Sequence, residues 1–207
     1  MSLYENRSFL GDWRLNNEQN YLSIEKIGEI YKCIWKISGE NTQEEYLGIG
    51  MLVDNQLFIS RFLKRVPGGG IGLYKPIGDL RSNSSLWAST QNFNTLGSGI
   101  TLRENASESF EGDYTVRYFI KGTESPVYNL KILKKKQSSL YSLTWAVNNE
   151  TKLHGVGVIN NDQMVLAWGG VDFEYEVVIL SIESENILNG KCALLGNDIT
   201  QESYTKC

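Results

Sequence analysis

An internal repeat of about a hundred residues limits the folds open to this chain more than any other feature. Matching segments recur in the same order: GDW at 11–13 with GDY at 112–114, YKCIW at 31–35 with YSLTW at 141–145, and GIGM at 48–51 with GVGV at 155–158. Their spacing drifts along the chain, as expected when loops change length while strands keep their pattern. We therefore divide the chain into a first repeat, 1–106, and a second repeat, 107–207.

Within each repeat the apolar residues follow a β-strand pattern. In YKCIW, Tyr31, Cys33 and Trp35 share one face of a strand, and YSLTW repeats the alternation. Asp54-Asn55 separates two apolar segments of the first repeat, and 160–162 (NND) does so in the second, as in tight hairpins. Strand-like segments recur about every twelve residues without a sustained helical period. The sequence predicts an all-β antiparallel meander with little helix.

Short strands in a meander must bury one face and protect their edges. A small closed barrel does both, because closure removes the exposed edges of the sheet. We expect two tandem repeats, each forming a small β-barrel. One composite barrel that draws strands from both halves, or a sandwich, would satisfy the same pattern.

Composition excludes several classes of function. A net charge of −4 and a pI near 5.2 are unlike a surface built to bind nucleic acid. The single histidine, His154, excludes chemistry that needs two imidazoles and any His-rich metal site. Three widely spaced cysteines match neither a disulfide framework nor a zinc motif. We expect no nucleic-acid partner, no metal and no cofactor.

The apolar stretches of the chain also bear on its location. The first residues show no basic segment followed by an apolar run, the pattern of a secretory signal. Apolar runs such as VVIL at 177–180 are too short to cross a bilayer. These features predict a cytoplasmic protein that does not associate with membranes, and they leave its oligomeric state open.

Four residues are candidates for a binding site. Trp35 and Trp145 occupy the same strand position in the two repeats. Indole faces suit sugars and flat apolar ligands, although the same position also suits a core aromatic residue. Arg61 and Trp168 are equivalent positions just after the fifth strand, and a change from cation to indole indicates a position that faces solvent or a site mouth. We predict that these four side chains bind the ligand.

Catalytic motifs do not accompany these residues. The segment after Arg61, LKRVPGGG at 63–70, carries charge and glycine as functional loops do, but it lacks the spacing of a phosphate-binding loop. No GxSxG elbow supports a triad with His154, so we expect that histidine to be structural or solvated.

The opening of the first repeat resembles a known superfamily. A Gly11-Asp12-Trp13 start to a β-meander, with Arg103 about ninety residues later, resembles the calycins (lipocalins and avidins), in many of which such an Arg packs across the Trp. In the second repeat Tyr114 replaces the Trp, and Glu202 falls near the place of the Arg. The order of Tyr-x-x-x-Trp, Gly-x-Gly and a terminal Gly-x-x-Ile-Thr also resembles a duplicated domain of uncharacterised bacterial proteins. Both resemblances imply a barrel, and neither implies a substrate.

Three classes of function remain open. Paired aromatic residues and the lack of catalytic motifs favour a non-catalytic binding protein for a small apolar molecule or a carbohydrate. The alternatives are a protein–protein interaction module that uses the 61–70 loop or an aromatic rim, and a motif-poor β-barrel enzyme of the isomerase or cyclase type. A pocket lined by Trp35 or Trp145 would favour the first class. A flat apolar patch would favour the second, and titratable groups clustered in a cavity would favour the third.

Overall fold

A computed structural model describes residues 8–207 except 16–18, 40–41, 78–80, 106 and 108, so the repeat boundary at 106 lies outside the described residues. The described chain consists of β-strands and turns without helix, which confirms the all-β prediction. The strands of the first repeat are β1 (Gly11–Leu15), β2 (Asn20–Ile27), β3 (Ile30–Ser38), β4 (Gln43–Val53), β5 (Gln56–Leu63), β6 (Gly69–Ile77), β7 (Ser82–Ser89) and β8 (Gly97–Leu102). Those of the second are β9 (Gly112–Ile120), β10 (Thr123–Glu124), β11 (Tyr128–Lys134), β12 (Leu140–Val147), β13 (Glu150–Asn160), β14 (Gln163–Gly169), β15 (Glu176–Ser184), β16 (Ile187–Leu194) and β17 (Thr200–Lys206).

The strands form two closed antiparallel barrels, which confirms the prediction of two small β-barrels. In the first barrel the hydrogen-bonded order is β1-β17-β16-β15-β5-β4-β3-β2, and β2 returns to β1. The second barrel has the order β9-β11-β12-β13-β14-β6-β7-β8, and β8 returns to β9. The short β10 pairs with the end of β9.

The two barrels exchange strands between the repeats. β5 pairs with β15, so Arg61 lies opposite Glu176, and β14 pairs with β6, so Trp168 lies opposite Gly70. The first barrel thus contains β1–β5 of the first repeat and β15–β17 of the second. The second barrel contains β6–β8 of the first repeat and β9 and β11–β14 of the second. Each barrel is therefore a composite, and its limits do not coincide with those of the sequence repeats.

The strand registers identify equivalent positions in the two barrels. Arg61 and Trp168 are equivalent, as the sequence predicts, because they lie opposite the equivalent glycines of β4 and β13. The same registers relate four further pairs: Glu176 to Gly70, Cys192 to Trp87, Glu202 to Gly99, and Lys206 to Arg103.

Strand exchange changes the expected pairing of Trp13 with Arg103. The guanidinium carbon of Arg103 lies 5.3 Å from the ring centroid of Tyr114, whereas the ammonium of Lys206 lies 5.1 Å from the ring centroid of Trp13. β8 carries Arg103 into the second barrel beside β9, and β17 carries Lys206 into the first beside β1. The expectations that Arg103 packs on Trp13 and that Glu202 is its counterpart are therefore wrong. Each barrel nevertheless pairs an aromatic ring of its opening strand with a cation in its closing strand or directly after it.

The described residues form three hydrophobic cores, one inside each barrel and one between them. The core between the barrels includes Ile49, Phe58 and Val177 from the outer face of the first barrel. Ile71 and Val165 contribute from the outer face of the second. Each fully buried side chain of this kind contributes about 1.5–3 kcal/mol relative to an exposed one. This burial favours close packing of the two barrels.

Tyr175 connects the two segments that carry the chain between the barrels. Its hydroxyl accepts a hydrogen bond from the Gly170 N–H and donates one to the Gly68 carbonyl, each at 2.9 Å. Its ring lies against Gly69 and Gly169, where a Cβ atom would clash with it. The crossover therefore depends on a large ring in one connecting segment and on glycines of the second barrel.

Candidate functional site

A buried ion network occupies one end of the interior of the first barrel. The Nε of Arg61 donates to Glu176 at 2.7 Å, and its Nη1 and Nη2 donate to the two carboxylate oxygens of Glu202 at 3.1 and 3.0 Å. The Arg61 side chain is 11% exposed, and those of Glu176 and Glu202 are 17% and 18% exposed. Charge-assisted hydrogen bonds of this kind compensate for the loss of hydration on burial.

Aromatic side chains extend this network. Glu202 accepts a hydrogen bond from the hydroxyl of Tyr204, which in turn accepts one from Trp35 Nε1 at 3.1 Å. The guanidinium carbon of Arg61 lies 5.2 Å from the ring centroid of Trp35. Burial alone raises the pKa of a carboxyl group, but the charge and hydrogen bonds of Arg61 hold the pKa of Glu202 below its ordinary value. The carboxylate therefore stays ionised at neutral pH.

The second barrel has no such network at the equivalent positions. Trp168 stands in place of Arg61, and Gly70 and Gly99 stand in place of the two glutamates. A Cβ atom at Gly70 would clash with the indole of Trp168, and one at Gly99 would clash with the ring of Tyr118. The two glycines therefore make room for the rings of Trp168 and Tyr118.

A cavity of about 470 Å³ opens at this end of the second barrel. Its volume falls within the range of about 300–1,000 Å³ that is common for small-molecule sites. Polar side chains of its lining are concentrated in the segments 89–92 and 123–126. Six aromatic residues also line it: Tyr74, Trp87, Tyr118, Tyr128, Trp145 and Trp168.

Four of these rings form a connected wall. The ring centroids of Trp168 and Trp87 lie 6.5 Å apart, those of Trp87 and Tyr118 lie 6.0 Å apart, and those of Tyr118 and Tyr128 lie 6.0 Å apart. The rings meet at steep angles, from 58° to 74°, and such contacts contribute about 0.5–1.5 kcal/mol each beyond area burial. Trp87 Nε1 also donates to the Ser98 carbonyl at 2.9 Å. These ring contacts and this hydrogen bond hold the aromatic wall in place.

Hydrogen-bonding groups meet deeper in the cavity. Trp145 Nε1 donates to the hydroxyl of Tyr118 at 2.7 Å, and the hydroxyls of Tyr118 and Tyr74 lie 2.6 Å apart. Tyr74 and Trp145 are each 1% exposed. Burial raises the pKa of both tyrosine hydroxyls, so they remain protonated at neutral pH.

The four predicted site residues are divided between the barrels. Trp145 and Trp168 line the cavity of the second barrel. Trp35 and Arg61 lie in the ion network of the first, where Arg61 is paired with carboxylates and not free at a site mouth. Equivalent positions in the two repeats therefore have different surroundings.

Sequence reasoning did not select Trp87 or the tyrosines of the cavity. Trp87 lies in β7 opposite Gly72 and Gly97, and a Cβ atom at Gly97 would clash with its indole. Its counterpart in the first barrel is Cys192, so the repeat does not mark the position as aromatic. The sequence feature that could have indicated Trp87 is a tryptophan in a strand-like segment that lies between two glycine-rich segments.

The histidine and the two buried cysteines, which are reactive residue types, are held in contacts that suit a structural role. The Nε2 of His154 lies 2.5 Å from the Phe173 carbonyl, beside the ring of Tyr175. Cys33 and Cys192 are buried, and burial raises the pKa of both thiols. Among the described residues, no group of three or more His, Cys, Asp or Glu side chains could hold a metal ion. The described part of the chain also contains no helix long and apolar enough to cross a membrane.

Comparisons of the chain with models of protein families, with curated proteins and with solved structures find no match. The two closed eight-stranded barrels are consistent with a calycin-like architecture.

Proposed function

We propose that this protein binds a small, flat and largely apolar molecule in the cavity of its second barrel, without catalysing a reaction. The observation that carries the proposal is the aromatic lining of a space of about 470 Å³. At the equivalent end of the first barrel, Arg61 and its two carboxylates occupy the interior. Ring faces bind flat apolar groups through dispersion and through removal of apolar surface from water.

The lining favours an apolar ligand over a carbohydrate. A sugar carries hydroxyls around its whole ring, and each buried hydroxyl needs a hydrogen-bond partner. Most of the lining consists of aromatic rings with Leu153 and Leu166, and the polar side chains other than the tyrosines are concentrated in 89–92 and 123–126. The cavity therefore suits a ligand built mainly on an apolar ring system.

The lining also favours binding over acid–base catalysis. Of the described lining residues, Glu124 is the one carboxylate, and it is exposed and paired with Arg117 at 2.7 Å. Tyr74 and Tyr118 have raised pKa values and are therefore poor proton acceptors at neutral pH. These properties suit a rigid receptor.

Fluorescence titration of the full-length protein with N-phenyl-1-naphthylamine tests the proposal. This uncharged aromatic dye becomes brighter in apolar surroundings, and we expect one saturable site per chain. Trp87→Ala and Trp168→Ala should each weaken binding roughly tenfold or more, because each removes a central aromatic contact. Circular dichroism should show that both variants remain folded.

Phe119→Ala is the matched control. Phe119 adjoins Tyr118 in β9, but its side chain is 36% exposed and does not line the cavity. Dye affinity should not change in this variant. Absence of saturable binding, or binding that is equally strong after loss of either tryptophan, would reject the proposal.

A further inference from the structure

Trp145, Tyr118 and Tyr74 carry three polar hydrogens in the cavity wall but make two hydrogen bonds among themselves. Trp145 Nε1 donates to Tyr118, and one of the two hydroxyls donates to the other. If Tyr118 donates to Tyr74, the proton of Tyr74 is left over. If Tyr74 donates, Tyr118 accepts twice and its own proton is left over. Among the described residues, neither hydroxyl donates a hydrogen bond to any further acceptor.

We propose that this remaining hydroxyl proton is donated to the ligand, so that the ligand carries a neutral hydrogen-bond acceptor, such as a carbonyl or ether oxygen, on its buried end. The inference rests on the proposed function and specifies the ligand of the same cavity. Both tyrosines line the cavity. A buried donor without an acceptor is unfavourable, and an oxygen atom on the ligand removes that penalty.

The charges around the cavity indicate that the acceptor is neutral. The described lining contains no Lys or Arg side chain, and its one carboxylate is Glu124. A buried carboxylate on the ligand would have no cation to compensate for its lost hydration. A ketone, quinone or aryl ether loses less hydration and still accepts the hydrogen bond. The predicted ligand class is thus flat aromatic molecules with an uncharged oxygen acceptor at one end.

A matched pair of probes tests the inference: 2-acetylnaphthalene, which has a carbonyl oxygen, and 2-isopropenylnaphthalene, which has a methylene group in its place. Their affinities are measured by displacement of N-phenyl-1-naphthylamine from the full-length protein. We divide the affinity for the ketone by the affinity for the alkene. This ratio should be about 2- to 12-fold higher for the wild type than for a variant without the donors. The carbonyl stretching frequency of the bound ketone should be lower than in hexane.

Two variants should differ in their preference for the ketone. Tyr74→Phe should keep the preference for the ketone, because Tyr118 then accepts from Trp145 and its own proton is free. Tyr74→Phe/Tyr118→Phe/Trp145→Phe removes all three donors and should lose the preference while still binding the dye. If this variant does not fold, the infrared measurement on the wild type decides the question.

Failure of the inference is distinguishable from failure of the proposed function. If the dye and both naphthalenes bind, but the bound ketone shows no shift in its carbonyl frequency, the inference is wrong and the binding function stands. If neither the dye nor either naphthalene binds the folded protein, the proposed function is wrong and the inference with it.

Discussion

Replacing Arg61 with leucine should strongly destabilise the first barrel. The substitution removes three charge-assisted hydrogen bonds and leaves Glu176 and Glu202 without their cation, although both are less than one-fifth exposed. Loss of one partner from a buried ion network costs about 3–5 kcal/mol. For a chain of this length, that loss lowers the midpoint of thermal unfolding by roughly 6–20 °C. Urea unfolding at pH 7, followed by circular dichroism, measures the change in the free energy of unfolding.

The cost of Arg61→Leu should depend on pH. In the wild type the pKa of Glu202 is held below its ordinary value, so its stabilising contribution is present above about pH 4.3 and is lost as the pH falls through the folded pKa. Without Arg61, burial remains and raises the pKa of the same carboxyl group. The stability deficit of the variant is therefore largest at neutral pH, and it decreases as Glu202 takes up a proton. The stability difference should narrow between pH 7 and pH 4.

Arg61→Leu/Glu176→Gln/Glu202→Gln is the matched control. It removes the whole ion network, so no buried carboxylate is left without a cation. At pH 7 it should be more stable than Arg61→Leu, and its difference from the wild type should depend less on pH. If Arg61→Leu is as stable as the wild type at pH 7, or if its deficit is the same at pH 4, the reasoning from unpaired buried carboxylates is refuted.

Three further predictions concern the fold. Tyr175→Phe removes two hydrogen bonds that connect the crossover segments and should lower the free energy of unfolding by roughly 1–3 kcal/mol in urea, and an unchanged midpoint would contradict the role of its hydroxyl. In the folded protein a small thiol reagent should label Cys207, which is exposed, and should label the two buried cysteines only after denaturation, as mass spectrometry would show. Residues 1–106 and 107–207 expressed as separate chains should co-purify in a 1:1 complex because each barrel contains strands from both, and two independent monomers would contradict the exchange.

Local sequence pattern was sufficient to predict the strands and hairpins. Asp54, Asn55 and Asn161 adopt positive φ angles of 49°, 62° and 57° at the two predicted turns. Alternation also placed Cys33 and Trp35 on the buried face of β3. These features are readable from sequence because they depend on neighbours a few residues apart.

The candidate site was only partly predictable. The repeat shows that Arg61 and Trp168 are equivalent. The residues that surround each of them, however, come from strands that are distant in sequence. Glu176 and Glu202 surround Arg61, whereas Gly70 and Gly99 take their places around Trp168. These glycines accommodate the rings of Trp168 and Tyr118, which line the cavity, and no single segment of the sequence contains that combination.

The sequence by itself determined the strands, their turns and the duplication, while the tertiary structure decided which strands share a barrel. β6 and β15 are equivalent strands of the two repeats and offer the same backbone hydrogen bonds. β5 could therefore have paired with β6 of its own repeat and not with β15. Backbone pairing does not distinguish two such partners, and periodicity is the same for both. The exchange involves residues a hundred positions apart, such as Tyr175 with Gly68. Contacts of that kind exist only in the assembled fold, which is why local pattern could not reveal them.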